Sequence, residues 1–422
     1  MVCGQASAEI ELKSYKVAST YWGGVRTDGG DVALSRFTIK PSAKFSLSKR
    51  WKADVALRYE YADDETGLGS VETFSDLSKP LLQSDTSRLE IDRAVLTYKK
   101  GRTRVILGKQ TMAWGVLDGI QITDRFDPVR RRDFVFTESR PERISRWGAR
   151  VQKKHGDWSF DAGLSVDPTV NQLAQQGDAF EPTSTRFRAG IPITEAQVPL
   201  ITEDRGEYFK DSTYGIRATR RIGNSTLSGL WFSGPETDPT FSLSSSTAGA
   251  VSLNYPRRDL FGVSYDKAAG PVVVRLEAAH IPDQPLNLQP EAPTQVFRTY
   301  ETARTLAGVG IDWNAPGDLF VNAQLAIDHF NAPSSELFGP KTDTIYSLKL
   351  RRTFKNDLVK LNAELIGSAE GGDGTFSADV SYELSDNTVV SVGTNQIFGR
   401  SEGVFGQFAK QDRVWTKIRV SM

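Results

Sequence analysis

The segment between residues 113 and 143 is dense in charged side chains of both signs. Arg130, Arg131 and Arg132 follow one another directly, and aspartates flank them. Guanidinium groups stay charged at physiological pH and bind carboxylates or phosphates through two parallel hydrogen bonds. The segment therefore predicts a site that attracts anions. Its candidate residues are Asp118, Asp124, Asp127, Arg130, Arg131, Arg132 and Asp133.

Residue types typical of hydrolytic or metal-dependent catalysis are scarce. The sequence has three histidines, His155, His280 and His329, and its single cysteine, Cys3, cannot build a disulfide framework or a thiolate metal site. Neither a phosphate-binding loop nor a metal-spaced cluster is present. We therefore predict no enzymatic activity, no metal and no cofactor. The alternative is a phospholipase-like hydrolase, in which His329 and a serine such as Ser347 would share one lipid-facing wall.

Apolar and polar residues alternate along most of the chain, as at 158–167, 319–328 and 376–384. Alternation gives a strand one apolar face and one polar face. A membrane barrel needs only one apolar face per strand, so its mean hydropathy can stay polar, as the value of −0.37 is here. No run approaches the ~18 apolar residues of a membrane-spanning helix. Basic and acidic residues number 52 each, which gives no basis for nucleic-acid binding.

Short turns rich in Gly, Asn, Asp and Lys alternate with long polar connections. Outer-membrane barrels have short periplasmic turns and long extracellular loops, so this pattern predicts a transmembrane antiparallel β-barrel of about eighteen strands, with about sixteen as the alternative. A soluble propeller would instead repeat every ~40–50 residues. The short turns fall at 48–51, 100–102, 154–156, 222–224, 267–270, 314–317, 354–356 and 385–387, and the long connections at 62–84, 113–143, 168–210, 234–255 and 282–301.

Both ends of the sequence carry features of exported barrels. Ala6-Ser7-Ala8 fits the small-x-small cleavage rule, which predicts a signal-peptide remnant at 1–8 and one barrel domain at 9–422. We expect the cell outer membrane of a Gram-negative bacterium, with its lipid and lipopolysaccharide and the barrel assembly machinery as partners. The last strand carries an alternating face typical of the assembly signal: Val414, Thr416, Ile418, Val420 and Met422.

The polar strand faces predict the lining of the interior. A closed barrel places its first strands beside its last, so their cations should share one wall, while acidic residues concentrate on later middle strands. Opposed charged walls would make a transverse field that favours anions. Alternatively, the charges pair across strands and only keep the interior hydrated and rigid. The candidate pore-lining residues are Arg36, Lys40, Arg146, Arg150, Arg217, Lys349, Arg351, Lys417 and Arg419.

A spaced motif runs through residues 107–147. It comprises Leu107-Gly108-Lys109-Gln110, Trp114-Gly115, Asp118-Gly119, Asp127-Pro128, Arg130, Phe134, Arg143-Ile144 and Trp147. This series resembles the domain-of-unknown-function 1302 family of proteobacterial outer-membrane barrels, with Asp127 where that family tends to have Asn. The chain also resembles large substrate-specific porins in general. The resemblance implies a barrel that is associated with transport, including the transport of hydrophobic or lipid-like compounds. It implies no catalytic residues.

These features together predict a passive channel for small anionic or amphiphilic solutes. Loops as long as 113–143 usually have a function, and this one would fold inward and constrict the pore. The alternative is an extracellular loop held by surface ion pairs, each of which contributes little. Besides a hydrolase, a plugged structural or lipid-transport barrel is the other candidate. We expect a monomer, although the pattern does not encode the oligomeric state.

The sidedness of the barrel can be tested with epitope tags. A tag within 168–210 should bind antibody on intact cells, because long connections are expected outside. A tag within 154–156 should bind only after permeabilisation, which is also the control that both tags are present. The opposite labelling pattern would invert the predicted orientation.

Overall fold

The computed structural model describes residues 10–63, 66–69, 71–134, 142–175, 177–188, 201–204, 207–243, 251–289 and 298–422. The predicted signal-peptide remnant at 1–8 lies outside the described residues. So do residues 135–141 of the candidate constricting loop and parts of the connections 168–210, 234–255 and 282–301.

The alternating sequence folds into one large sheet of nineteen strands. Eighteen of them form the wall of a barrel, and Leu82–Gln83 pairs only with one neighbour. The wall strands, numbered in chain order, are β1 Glu11–Arg26, β2 Val32–Ser46, β3 Trp51–Ala62, β4 Ser87–Lys100, β5 Thr103–Gln110, β6 Arg146–His155, β7 Trp158–Ser165, β8 Thr213–Ile222, β9 Ser225–Pro235, β10 Arg257–Ala269, β11 Val272–Leu288, β12 Arg298–Ala315, β13 Leu319–Phe330, β14 Thr342–Phe354, β15 Val359–Ser368, β16 Asp373–Ser385, β17 Thr388–Phe398 and β18 Arg413–Ser421.

Each wall strand pairs antiparallel with the next one, and the first strand pairs with the last. The ladder between β1 and β18 runs from Ala18 opposite Ser421 to Arg26 opposite Arg413. The sheet is therefore closed and leaves no row of unpaired backbone groups at an edge. The predicted all-β antiparallel barrel of about eighteen strands is confirmed.

The two faces of the wall differ as the alternation predicts. On β7, Phe160 and Leu164 are 47% and 39% exposed on the outside, whereas Asp161 between them is 6% exposed and faces inward. The same outward apolar face recurs on the neighbouring strands, for example at Ile216 and Val263. This continuous apolar outer surface is suited to contact with lipid.

The connections at the two rims differ in length. One rim has only short turns, at 47–50, 101–102, 156–157, 223–224, 270–271, 316–318, 355–358 and 386–387, and the other carries the loops. Helix is limited in the described residues to α1 Thr185–Arg188 and the 3₁₀ turns Ser334–Glu336 and Gly406–Gln411. No described helix is long and apolar enough to cross a membrane.

The predicted bounds of the connection at 282–301 were wrong at both ends. Strand β11 continues to Leu288 and β12 begins at Arg298, because the ladder resumes after an irregularity between Ile281 and Gln284. A bulge lets a strand absorb extra residues and stay paired. The proline-rich sequence there hid the strand. The loops at 27–31 and 369–372 are also short, although they lie on the loop rim.

A charge on the outer face should destabilise the barrel more than a charge on the inner face. Val380 on β16 is 48% exposed and lies between Leu361 and Val392 on the outside. We expect Val380→Arg to lower the free energy of unfolding in lipid vesicles by about 2–4 kcal/mol. Ser381→Arg is the matched control, since Ser381 faces inward and its hydroxyl lies 3.0 Å from Asp379 Oδ2. A larger loss for Ser381→Arg in urea titrations would contradict this assignment of the faces.

Candidate functional site

The segment from 111 to 134, here called the inner loop, follows β5 and packs against the inside of the wall. Trp114, Ile122 and Phe126 are almost fully buried, with at most 1% of each exposed. They belong to a cluster whose wall members lie on the inward faces of β9 to β13. That cluster contains Met112, Trp114, Leu117, Ile120, Ile122, Phe126, Leu230, Phe232, Leu260, Ala279, Ile281, Leu306 and Ala326, with Ile345 against it.

Wall glycines make room for this apolar half of the inner loop. A Cβ atom at Gly308 would lie 2.6 Å from Cδ1 of Ile122, and one at Gly262 would lie 2.8 Å from Cγ2 of Thr123. Any larger residue at these inward positions would collide with the loop. The loop and the wall are therefore matched in shape where they meet.

Polar contacts fasten the same half of the loop. The carboxylate of Glu277, on β11, accepts backbone N–H groups from Val116, from Leu117 at 3.3 Å and from Thr123 at 3.4 Å. Gln324 on β13 donates its amide N–H to the backbone carbonyl of Asp118. Backbone groups of an irregular segment need such partners when they are buried.

Asp127 and three predicted pore-lining arginines also belong to this attachment. Asp127 accepts the backbone N–H of Met112 and lies 3.7 Å from Arg146. Burial raises the pKa of the Asp127 carboxyl to about 6, although Arg146 opposes that shift. Arg150 binds Asp161 at 2.5 Å, and Arg217 donates to the backbone carbonyl of Trp114 at 3.4 Å. Arg146, Arg150 and Arg217 therefore face inward but hold the loop or a neighbouring acid.

The fit between wall and loop predicts a position-specific effect of a valine. Gly308→Val should lower the free energy of unfolding by about 1–3 kcal/mol, because overpacking displaces the loop. Gly229→Val is the control, since a Cβ atom there meets nothing within 4 Å. The measurement is the temperature at which half of the protein has changed from its folded to its unfolded mobility on gels. Equal midpoints for the two variants would mean that the inner loop does not lie on β12.

The charged end of the inner loop crosses to the opposite part of the wall. Its short strand Val129–Arg130 pairs with Glu142–Arg143, and Glu142 contacts Lys40 on β2 and Arg58 on β3. Arg130 binds Glu90 on β4 at 2.5 Å, and Asp133 binds Arg36 on β2. Ion pairs thus replace the apolar contacts of the first half.

A small cavity lies between this charged end and the wall. Its volume is about 30 Å³. It is lined by Arg36, Arg58, Glu60, Leu68, Arg88, Arg130, Arg132, Asp133, Glu142 and Gln172. Five arginines minus three acids leave a surplus of two positive charges in this lining. Adding the contacting Lys40, Glu90 and Asp178 lowers that surplus to one.

In this cavity, here called the arginine cavity, the electrostatic environment favours the ionised forms of Asp133 and Glu142. Burial alone would raise the pKa of the Asp133 carboxyl, but the adjacent Arg36 guanidinium outweighs burial and holds that pKa below its usual range. Burial likewise opposes ionisation of Glu142, and Arg58 and Lys40 lower its pKa further than burial raises it. The cavity therefore keeps its charges at neutral pH.

The three consecutive loop arginines diverge. Arg130 and Arg132 line the cavity, whereas Arg131 binds Asp238 at 3.3 Å, beyond β9. Arg132 binds Asp178 at 2.7 Å. The backbone rotates successive side chains in different directions, so adjacency in sequence does not make a cluster. Asp124, another predicted loop residue, pairs with Arg143.

The predicted cationic wall is only partly continuous. Lys417 on β18 lies 4.3 Å from the ring centre of Trp22 on β1, and Arg36 is opposite Trp22 on β2. Arg419 lies on the same inward face of β18 as Lys417. Lys349 and Arg351, however, lie on β14, four strands from β18 in the barrel order. Closure brings the first and last strands together but leaves β14 apart.

The predicted acidic wall carries its own arginines. On the middle strands Arg275 pairs with Asp312, and Arg304 pairs with Asp328 at 2.5 Å. A carboxylate in a confined interior is much less costly when a cation lies beside it than when it has no partner. These two carboxylates are therefore balanced locally, which favours the alternative that charges in the interior pair across strands.

Comparison with solved structures identifies the fold. Solved structures match over nearly the whole chain: Acinetobacter baumannii OccAB1 has a TM-score of 0.55 at 9% identity and covers 99% of this chain and 98% of that chain. A BenF-like porin from Pseudomonas fluorescens Pf-5 has a TM-score of 0.53 at 9% identity, with 98% of both chains covered. Pseudomonas aeruginosa OccK2 (OpdF) in complex with glucuronate has a TM-score of 0.51 at 10% identity, covering 97% and 96%. The fold is that of outer-membrane porins.

No model of a known protein family matches the chain, and no curated protein matches it. The resemblance to the domain-of-unknown-function 1302 family therefore stays a prediction. The general resemblance to substrate-specific porins is supported at the level of the fold by the Occ structures.

The structure separates His329 and Ser347, the two residues considered for the hydrolase alternative. Nδ1 of His329 lies 2.7 Å from the Thr342 hydroxyl on the outer face. Ser347 is opposite the inward-facing Gln324 and points to the interior. The two residues are thus on opposite sides of the wall. Among the described residues, no group of His, Cys, Asp and Glu could hold a metal ion.

Sequence reasoning missed several residues that line the arginine cavity or lie close to it. Arg88 and Glu90 are 2% exposed and face inward on β4, where they alternate with Leu89 and Ile91. That alternation predicts that Arg88 and Glu90 face inward, so both could have been found from the sequence. Lys109 could not be found in this way, because Gly108 has a positive φ of 121° and turns Lys109 inward against the alternation.

Proposed function

We propose that this protein is a passive outer-membrane channel for small anionic solutes. The observation that carries the proposal is the arginine cavity, where the inner loop approaches β2 to β4 with a surplus of positive charge. Fixed guanidinium groups lower the barrier for an anion that sheds water at a constriction. Amphiphilic solutes come within the proposal where they carry an acidic group.

The inner loop acts as the constriction in this proposal. Its apolar half is attached to the wall by close packing and by Glu277. Its charged end is attached by ion pairs, such as Arg36 with Asp133, which a passing anion can loosen by competing for the arginine. The neighbouring carboxylates keep the site from holding the solute too strongly.

The fold neighbours supply one piece of support for the class of solute. OccK2 was solved with glucuronate, a sugar that carries one carboxylate. A carboxylate of this size matches the bidentate geometry that arginine offers. We therefore place small organic acids first among the solutes to be tried.

Ion selectivity tests the proposal directly. In planar bilayers under a salt gradient, the wild-type channel should prefer anions, and the double variant Arg130→Gln/Arg132→Gln should lose most of that preference. The physical reason is that the variant leaves three arginines and three acids in the lining, so the surplus falls from two to zero. The preference should also weaken with salt, since charge is screened over about 10 Å at 0.1 M.

Arg257→Gln is the control for charge removal. Arg257 lies over the ring of Tyr214 on the outside of the wall, 5.4 Å from its centre. Its loss should leave the reversal potential unchanged. If the double variant keeps the wild-type reversal potential and conductance, the arginine cavity does not control permeation.

A plugged barrel is the second candidate, and the size of the arginine cavity favours it. A volume of about 30 Å³ accommodates roughly one or two water molecules. An organic solute therefore enters this cavity only if the inner loop shifts. A wild-type barrel that folds but never conducts in bilayers would replace the channel proposal with this one.

A further inference from the structure

A second charged cluster lies on the far side of the inner loop from the arginine cavity. Its centre is Arg125, which interacts electrostatically with Arg304, Arg258, Asp328 and Glu236. These wall residues lie on or next to the loop-rim halves of β9 to β13. The cluster therefore lies near the loop rim, as the arginine cavity does, but on the other side of the inner loop.

Every other arginine of this cluster has a carboxylate partner. Arg258 pairs with Glu236, Arg304 with Asp328, and Arg131 with Asp238. Within the described part of the chain, the Arg125 side chain has neither an ion pair nor a hydrogen bond, and its Nε is buried without a partner. Four arginines minus three carboxylates leave one positive charge, and it resides on Arg125.

An arginine in this position is costly for the folded state. Burial lowers the pKa of Arg125 to about 9, and the nearby Arg304 lowers it in the same direction. The group is still protonated at neutral pH. A partly buried cation that has no ion pair is unfavourable unless an anion reaches it.

We propose that Arg125 is a binding subsite for the carboxylate of a solute. The guanidinium carries five N–H donors, and a carboxylate can accept two of them in parallel. The paired arginines around it cannot take this role without releasing their own acids. Arg125 thus captures the anion near the loop rim, on the other side of the inner loop from the arginine cavity. This inference rests on the proposed channel function and identifies a residue that selects its solute.

Equilibrium binding to the full-length barrel in detergent tests the subsite. The probes are glucuronate and glucose, which differ by a carboxylate. Calorimetry should show that wild-type protein binds glucuronate more tightly than glucose. Arg125→Gln should weaken glucuronate binding by at least about tenfold, because a charge-assisted hydrogen bond is lost. Arg257→Gln removes the same charge outside the barrel and should leave binding unchanged.

Stability separates binding from a structural role. Because the Arg125 side chain has no ion pair or hydrogen bond among the described residues, Arg125→Gln should unfold at the same temperature as the wild type or higher. Arg304→Gln should unfold earlier, since it leaves Asp328 without its partner. A barrel that is destabilised by Arg125→Gln, or that binds glucuronate as tightly as before, would overturn the subsite. So would a wild type that does not distinguish the two sugars.

Conductance gives an independent readout of the channel function. If Arg125-dependent binding occurs in a barrel that does not conduct, the subsite stands and the channel proposal fails. If the barrel conducts anions and Arg125→Gln leaves the binding of glucuronate unaltered, the channel stands and the subsite fails.

Discussion

The pairing of β1 with β18 is the constraint on which the rest of the structure depends. In a lipid environment each unpaired backbone N–H and C=O group is costly, so a sheet must close on itself. The ladder from Ala18–Ser421 to Arg26–Arg413 provides that closure. It also creates an enclosed interior. The inner loop occupies part of that interior, where it packs against the wall.

The inner loop meets this need with two different kinds of attachment. Its first half is packed into an apolar cluster around Trp114 and Ile122, with wall glycines opposite. Close packing has few alternative arrangements. Its second half is attached by ion pairs around Arg130 and Asp133, whose partners can be exchanged for a dissolved ion. The closely packed half therefore positions the ion-paired half, as the proposed constriction requires.

Local charge balance inside the barrel explains why most of the predicted lumen charges are not simply displayed to a solute. Arg150 and Arg304 each hold a nearby aspartate, because an isolated charge in a confined interior is unfavourable. Against this background a cation without a partner stands out. Arg125 is conspicuous for this reason, whereas Arg131, six residues further along a loop of similar composition, is neutralised by Asp238.

The sequence by itself determined the barrel, its approximate strand number and the face on which Arg36, Arg146 or Lys417 lies, because a strand repeats every two residues and short turns restrict pairing. The prolines near 282–285 broke that repeat and concealed the continuation of β11. Only the tertiary structure decided which charges meet. The path of the inner loop brings Arg130 to Glu90 and leaves Arg125 without an ion pair among the described residues. Such contacts depend on packing between segments distant in sequence, which no local period encodes.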